Sequence, residues 1–196
     1  MQLILVRHGL PAEAHSRTVS NPGLSEDGKE QALQTGERLA IEPIDAIFSS
    51  PLIRSIETAQ PLADRLNLEI RALDEIGEVD NGVDIYISPE AIKAAGEWEQ
   101  FLEDPIRYYG HDEGEFRARV MSGFEKIITD TSIRRAAIFT HGFPINILLA
   151  HALGLPRMTH FSPRNGSISR LAGQSLDALQ VLSINESTHF KPEGDQ

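Results

Sequence analysis

Two histidines, two arginines and a glutamate carry the chemistry this sequence can offer. Arg7-His8-Gly9 follows the apolar run Leu3 to Val6, and His141-Gly142 follows the apolar run Ala136 to Phe139. Arg54 stands just past Ser50-Pro51, where a second strand, Ile44 to Phe48, gives way to a helix. Singly, each has a plainer explanation: a polar strand end, or a solvated arginine. Three at corresponding strand-to-helix junctions converge on the sheet edge where ligands of open α/β sheets collect. The set suits phosphoryl transfer. Arg7 and Arg54 supply forked donors for a dianionic group. His8 can attack phosphorus in line and hold the group covalently. His141, with Gly142 beside it, can hydrogen-bond the phosphoryl oxygens as charge builds. A carboxylic acid must protonate the leaving oxygen and later take a proton from water. Glu75, just past a third strand, is expected in that role, kept protonated by repulsion from Asp74, Glu78 and Asp80.

The elements that must position these groups are legible in the hydrophobic patterning. Leu3 to Val6 reads as a buried strand. Residues 10–23 are polar and aperiodic with Pro and Gly punctuation, a loop placed to meet substrate through His15 or Arg17. Ser25 caps a helix with Ala32, Leu33, Gly36, Leu39 and Ala40 inward. Ser50 and Pro51 open a second helix to about Leu66, whose apolar stripe leaves Arg54 to one side. Glu69 to Leu73 reads as a third strand. Residues 78–114 read as an excursion from the sheet that covers the site: a helix capped by Ser88 and opened by Pro89, with Ile92, Ala95, Trp98 and Leu102 inward, then an irregular stretch from Asp104 to Gly114. Trp98, Tyr108 and Tyr109 are expected in its core. A helix of about Glu115 to Asp130 buries Phe116, Val120, Phe124, Ile127 and Ile128. Pro144 starts a helix that Gly154 stops, and Ser167 to Leu171 with Leu179 to Ile184 form an antiparallel hairpin at one edge.

Composition narrows the classes. A formal net charge of -11 argues against a nucleic-acid binder, whose phosphate contacts need a basic face. A local Arg and His cluster can still reverse the field inside one cleft. There is no cysteine, hence no disulfide, thiolate zinc site or cysteine nucleophile. No stretch approaches the ~20 apolar residues of a membrane span, and a cytoplasmic protein is expected.

Several segments together resemble the histidine phosphatase superfamily, the group that contains the cofactor-dependent phosphoglycerate mutases. They are Leu5-Val6-Arg7-His8-Gly9, Leu24-Ser25 with Gly28, Gln31 and Ala32, Ser49-Ser50-Pro51-Leu52 with Arg54, Thr58 and Ala59, Leu73-Asp74-Glu75, Thr140-His141-Gly142, and Asn165-Gly166-Ser167-Ile168. The resemblance spans most of the chain. It implies one three-layer α/β/α sandwich over residues 1–196, with a mostly parallel sheet and an antiparallel edge. It also implies a phosphohistidine on His8, phosphate binding by Arg7, Arg54 and His141, an acid/base role for Glu75, and no metal or cofactor. The sequence departs from the family in three places. Leu10-Pro11 follows Arg7-His8-Gly9 in place of Glu or Gln and then Thr or Ser. Ala14 stands about where a phosphate-contacting Asn is common, with Ser16, Arg17 or Asn21 as substitutes. The stretch Gly77 to Gly82 lacks the usual Gly-x-Trp-Glu-Gly, which makes Glu78 the alternate to Glu75 in the acid/base role.

The expected activity is therefore a metal-independent phosphatase acting on a small phosphomonoester or a phosphoprotein side chain. The alternatives are a phosphoglycerate-type mutase and a phosphate-binding regulatory module that does not turn over. The polar cluster His111-Asp112-Glu113 is a poor basis for a metallohydrolase, having no H-E-x-x-H helix. His151 and His160 are expected to be structural.

Overall fold

The computed structural model describes residues 1–12, 21–82, 87 and 89–190. His15, Ser16, Arg17 and the expected cap Ser88 lie outside the described residues.

Six strands form one sheet: β1 (Gln2–Arg7), β2 (Ala46–Ser49), β3 (Ile70–Ala72), β4 (Arg135–Thr140), β5 (Ile168–Ala172) and β6 (Gln180–Glu186), in the order β3-β2-β4-β1-β5-β6. The first four of that order run parallel. β5 and then β6 are antiparallel, closing one edge. In β1 the side chains alternate between two cores. Leu3 and Leu5 join one, with Phe48 and Ile138; Ile4 and Val6 join the other, with Ile47 and Phe139. Helices cover both faces. α1 (Glu26–Ala40) and α2 (Ile53–Leu66) pack on the second core through Leu39, Ala59 and Leu62. α6 (Glu113–Ile128) and α7 (Gly142–Leu153) pack on the first through Val120, Phe124, Ile145 and Leu148. This is the expected α/β/α arrangement.

Between β3 and α6 the chain leaves the sheet. A 3-10 turn, Asp74–Ile76, is followed by α3 (Pro89–Ala94), α4 (Trp98–Glu103) and α5 (Pro105–Tyr108). One helix was expected over α3 and α4. The chain breaks at Gly96, whose φ of +74° is left-handed. The break turns Ala95 and Leu102 outward, Leu102 to 49% exposure.

Two further expectations shift. Leu33 lies on the exposed flank of α1, and Thr35 takes its place in the buried stripe, donating to the Gly166 carbonyl. α2 starts at Ile53 rather than Pro51. Ser50 does accept from the Leu52 N–H, but its hydroxyl also engages His141, which places it in the site.

Candidate active site

β2, β4 and β1 lie side by side, so the residues that leave their carboxyl ends are neighbours. Backbone bonds extend the pairing by one residue. The His8 N–H donates to the Thr140 carbonyl at 2.9 Å, and the Ser50 N–H to the Phe139 carbonyl at 3.0 Å. Asn165 Nδ2 donates to the His8 carbonyl at 3.0 Å, holding it from the other side. The turn that follows needs glycine. A Cβ on Gly9 would stand 2.5 Å from the Gly28 carbonyl oxygen, and one on Gly28 would stand 2.1 Å from that of Leu10. No side chain fits where the turn after β1 passes the first turn of α1.

His8 and His141 face one another with ring centroids 5.0 Å apart and planes at 56°. Both are buried, and burial, followed by the Arg54 guanidinium, holds each pKa well below the ordinary imidazole value. His8 Nδ1 lies 2.7 Å from the Gly9 carbonyl oxygen. A carbonyl only accepts, so Nδ1 carries the proton and Nε2 keeps the lone pair. His141 Nε2 lies 2.8 Å from Ser50 Oγ. Its Nδ1 is buried with no partner among the described residues.

Arg54, in the first turn of α2, is fully buried, not solvated. Its Nη2 reaches both carboxylate oxygens of buried Asp80, at 2.7 and 2.9 Å. Arg7 Nη1 donates to the Pro163 carbonyl at 2.6 Å. Arg7, His8, Arg54, Gly142 and Glu78 line one cavity of about 260 Å³. His141 stands behind it, against His8. The expected set is thus brought together, with one exception.

The exception is Glu75. Its carboxylate bonds Lys126 of α6, which lowers its pKa, and it does not line the cavity. The 3-10 turn is the cause. It sends Ile76 into the core and Glu75 onto α6, where Gly123 lets the helix approach so closely that a Cβ there would stand 2.7 Å from Glu75 Cβ. Arg119 then gathers the carbonyls of Asp74, Glu75, Gly77 and Glu78, at 2.7, 3.1, 3.1 and 3.4 Å. From the opposite side Thr140 Oγ1 donates to the Ile76 carbonyl at 2.6 Å. Pinned this way, the chain delivers Glu78 to the cavity. Glu78 Oε2 accepts from the Phe143 N–H at the start of α7, at 3.2 Å. Burial, reinforced by the negative charge of Asp80, pushes its pKa up to about 7. The carboxyl beside the imidazoles is therefore the alternate, Glu78, and not Glu75.

Asp80, Ser50, Asn165 and Arg119 are site-building residues that spacing did not reveal. Asp80 was legible only as one carboxylate of an acidic loop. The 26 positions between it and Arg54 follow no local rule. Asn21 Oδ1, a proposed loop substitute, accepts from the Ile53 N–H at the head of α2 and does not line the cavity. His111 and Asp112 border a separate cleft with Arg119, and no group of three or more potential ligands forms a metal site among the described residues. His151 lies on the outer surface near Asp177, and His160 is exposed. Trp98 and Tyr109, expected as core, line the cavity.

A paired-histidine, paired-arginine pocket at the carboxyl edge of such a sheet defines a class. Residues 3–186 match the histidine phosphatase superfamily (branch 1), and the chain belongs to that family. It is 30% identical to phosphoserine phosphatase 1 of Hydrogenobacter thermophilus, over 97% of this chain and 94% of the relative. It is 28% identical to a probable phosphoglycerate mutase of Erwinia tasmaniensis, over 89% and 86% of the two chains. Among solved structures it is similar to a mycobacterial glucosyl-3-phosphoglycerate phosphatase, with a TM-score of 0.78 and 23% identity over 95% and 99% of the two chains. It is also similar to a putative α-ribazole-5′-phosphate phosphatase of Escherichia coli, with a TM-score of 0.78 and 21% identity over 95% and 97%. These likenesses agree with the fold described above.

Proposed function

We propose that the enzyme hydrolyses a small phosphomonoester in two steps on His8. In the first, His8 Nε2 attacks phosphorus and the ester P–O bond breaks. Glu78 gives its proton to the leaving alcohol oxygen. In the second, Glu78, now a carboxylate, takes a proton from water as that water attacks phosphorus. The N–P bond breaks, inorganic phosphate leaves, and His8 Nε2 regains its lone pair. Arg7 and Arg54 hold the phosphoryl oxygens throughout, and His141 Nδ1 bonds one of them as negative charge builds. Asp80 fixes the Arg54 fork.

One observation carries this reading: a neutral histidine with its lone pair on Nε2 shares a cavity with a carboxyl group whose pKa is raised to about 7. Groups poised in complementary protonation states suit nucleophile and general acid at neutral pH. Relatives named as phosphatases support it. The relative named as a probable mutase makes phosphoryl return to substrate the second reading. An assay that measures phosphate release beside isomer exchange separates the two.

The test is the intermediate. Acid-quenched and alkali-quenched reactions with a ³²P-labelled ester should show a base-stable, acid-labile label on the wild-type chain and none on His8→Ala. Turnover by His8→Ala at the wild-type rate would refute the proposal.

A further inference from the structure

The cavity has two unlike ends. At one end stand the groups that hold the phosphoryl group. The rest of the wall is mostly apolar, with Trp98, Phe101 and Tyr109 from the excursion, Phe143 from α7, and Phe161; the uncharged polar residues Asn146, Thr159 and Ser162 lie among them. Four of these rings, those of Trp98, Phe101, Tyr109 and Phe143, form one connected set. Trp98 stacks on Phe101 with centroids 5.2 Å apart and planes at 26°. Phe101 meets Tyr109 edge-on at 6.4 Å and lies 6.3 Å from Phe143. The Tyr109 hydroxyl is spent on the Ile87 carbonyl at 2.7 Å. Among the described residues, Arg7 and Arg54 are the only cations lining the cavity, and both stand at the phosphoryl end, Arg54 paired with Asp80. The excursion's own Lys93 does not line it; its Nζ lies 4.4 Å over the Trp98 ring. The carboxylate of Asp80, on the same side, is paired with Arg54.

Taking the phosphatase reading as its basis, we propose that the leaving group is an uncharged, ring-bearing alcohol of a small molecule. A ring buries its faces against such a wall and gains from offset and edge contacts. A carboxylate entering the same space would lose water and find, among the described residues, no cation beyond the two that hold the phosphoryl group. The cavity, about 260 Å³, is at the small end of ligand sites, which suits a free metabolite rather than a segment of protein chain. Phosphoserine and 3-phosphoglycerate, whose carboxylates lie near the ester oxygen, are thereby poor substrates of this chain.

The experiment compares primary alkyl phosphates, so that leaving-group acidity does not decide the outcome: benzyl phosphate, glycerol 1-phosphate, phosphoserine, and a serine-phosphorylated peptide with an aromatic residue beside the ester. Benzyl phosphate should exceed phosphoserine in kcat/KM by at least about tenfold, with glycerol 1-phosphate between them. Trp98→Ala should narrow the ratio of benzyl to glycerol phosphate. Leu102→Arg, at a half-exposed position on the rim, should raise kcat/KM for phosphoserine relative to benzyl phosphate. That gain cannot come from unfolding. Phosphoserine equal to or better than benzyl phosphate overturns the proposal and leaves the phosphatase reading standing. A peptide turned over faster than benzyl phosphate also overturns it. Absence of turnover on every ester, with no phosphohistidine formed, removes the phosphatase reading and this proposal with it.

Discussion

The floor of the cavity and its roof are built by opposite means. The floor is the carboxyl edge of β1, β2 and β4 with the first turns of α2 and α7. Its polar groups are buried, and backbone or side-chain bonds from at least two elements fix His8, Ser50 and His141. The roof is three helices of six, six and four residues, held by the buried aliphatic side chains Ile92 and Ile106 and by ring contacts around Phe101. Helices that short have little stability of their own. The contrast separates two tasks. A phosphoryl group is the same in every ester, and a fixed polar floor suits it. The alcohol differs, and a roof of adaptable apolar contacts can change with it while the chemistry stays in place. The segment 74–80 belongs to both, because it carries Glu78 into the cavity and Asp80 to Arg54.

The largest effects should come from breaking the floor. Glu78→Gln keeps shape but removes the proton, and kcat should fall by about 10² to 10⁴. Glu75→Gln, losing only its bond to Lys126, should leave kcat close to wild type. A loss in Glu75→Gln as large as in Glu78→Gln would reverse the assignment, and phosphate release under single-turnover conditions reads both.

That assignment marks the limit of what the sequence holds. Arg7-His8-Gly9, Arg54 and His141-Gly142 were legible because strand-to-helix junctions are local patterns, and the sheet order makes such junctions adjacent. The choice between Glu75 and Glu78 was not local. It depends on a 3-10 turn, on Arg119 some 41 positions away gathering the turn's carbonyls, and on the bare surface of Gly123. The same holds for Asp80 with Arg54. The split of α3 from α4 escaped for another reason: apolar periodicity continues through Gly96, and only the left-handed φ of that residue interrupts it.

A smaller effect sharpens the link between floor and roof. Arg119→Met removes the donors that gather four carbonyls while keeping much of the side chain's bulk. Glu78 should lose its aim, and kcat should drop by about 10- to 100-fold with KM little changed. A purely structural role would instead lower the melting temperature without the split between kcat and KM.

The pH profile tests the electrostatics. His8 is neutral well into the acid range, because burial and the Arg54 and Arg7 guanidiniums lower its pKa. Glu78 must be protonated for the first step, so kcat/KM should fall as pH rises through about 7. Removing a negative neighbour favours the ionised form, so Asp80→Asn should move this descending limb to lower pH. A bound phosphoryl dianion acts the other way, and the limb in kcat should stand at higher pH than that in kcat/KM.

The smallest effect belongs to the roof alone. Gly96 separates α3 from α4 with φ +74°, and a Cβ there would meet nothing within 4 Å. Gly96→Ala therefore introduces no clash; it charges only the backbone strain of a left-handed residue, about 1 kcal/mol. If the roof opens independently of the floor, that strain appears as faster amide exchange confined to residues 89–108. Benzyl phosphate would then show a modestly higher KM, and the yield of phosphohistidine on His8 would not change. If floor and roof unfold as one unit, the same substitution lowers the melting temperature of the whole chain and spreads the exchange into β1 and β4. Exchange mapped by mass spectrometry distinguishes these, because the floor's protected amides, His8 and Ser50 among them, lie in peptides separate from the roof.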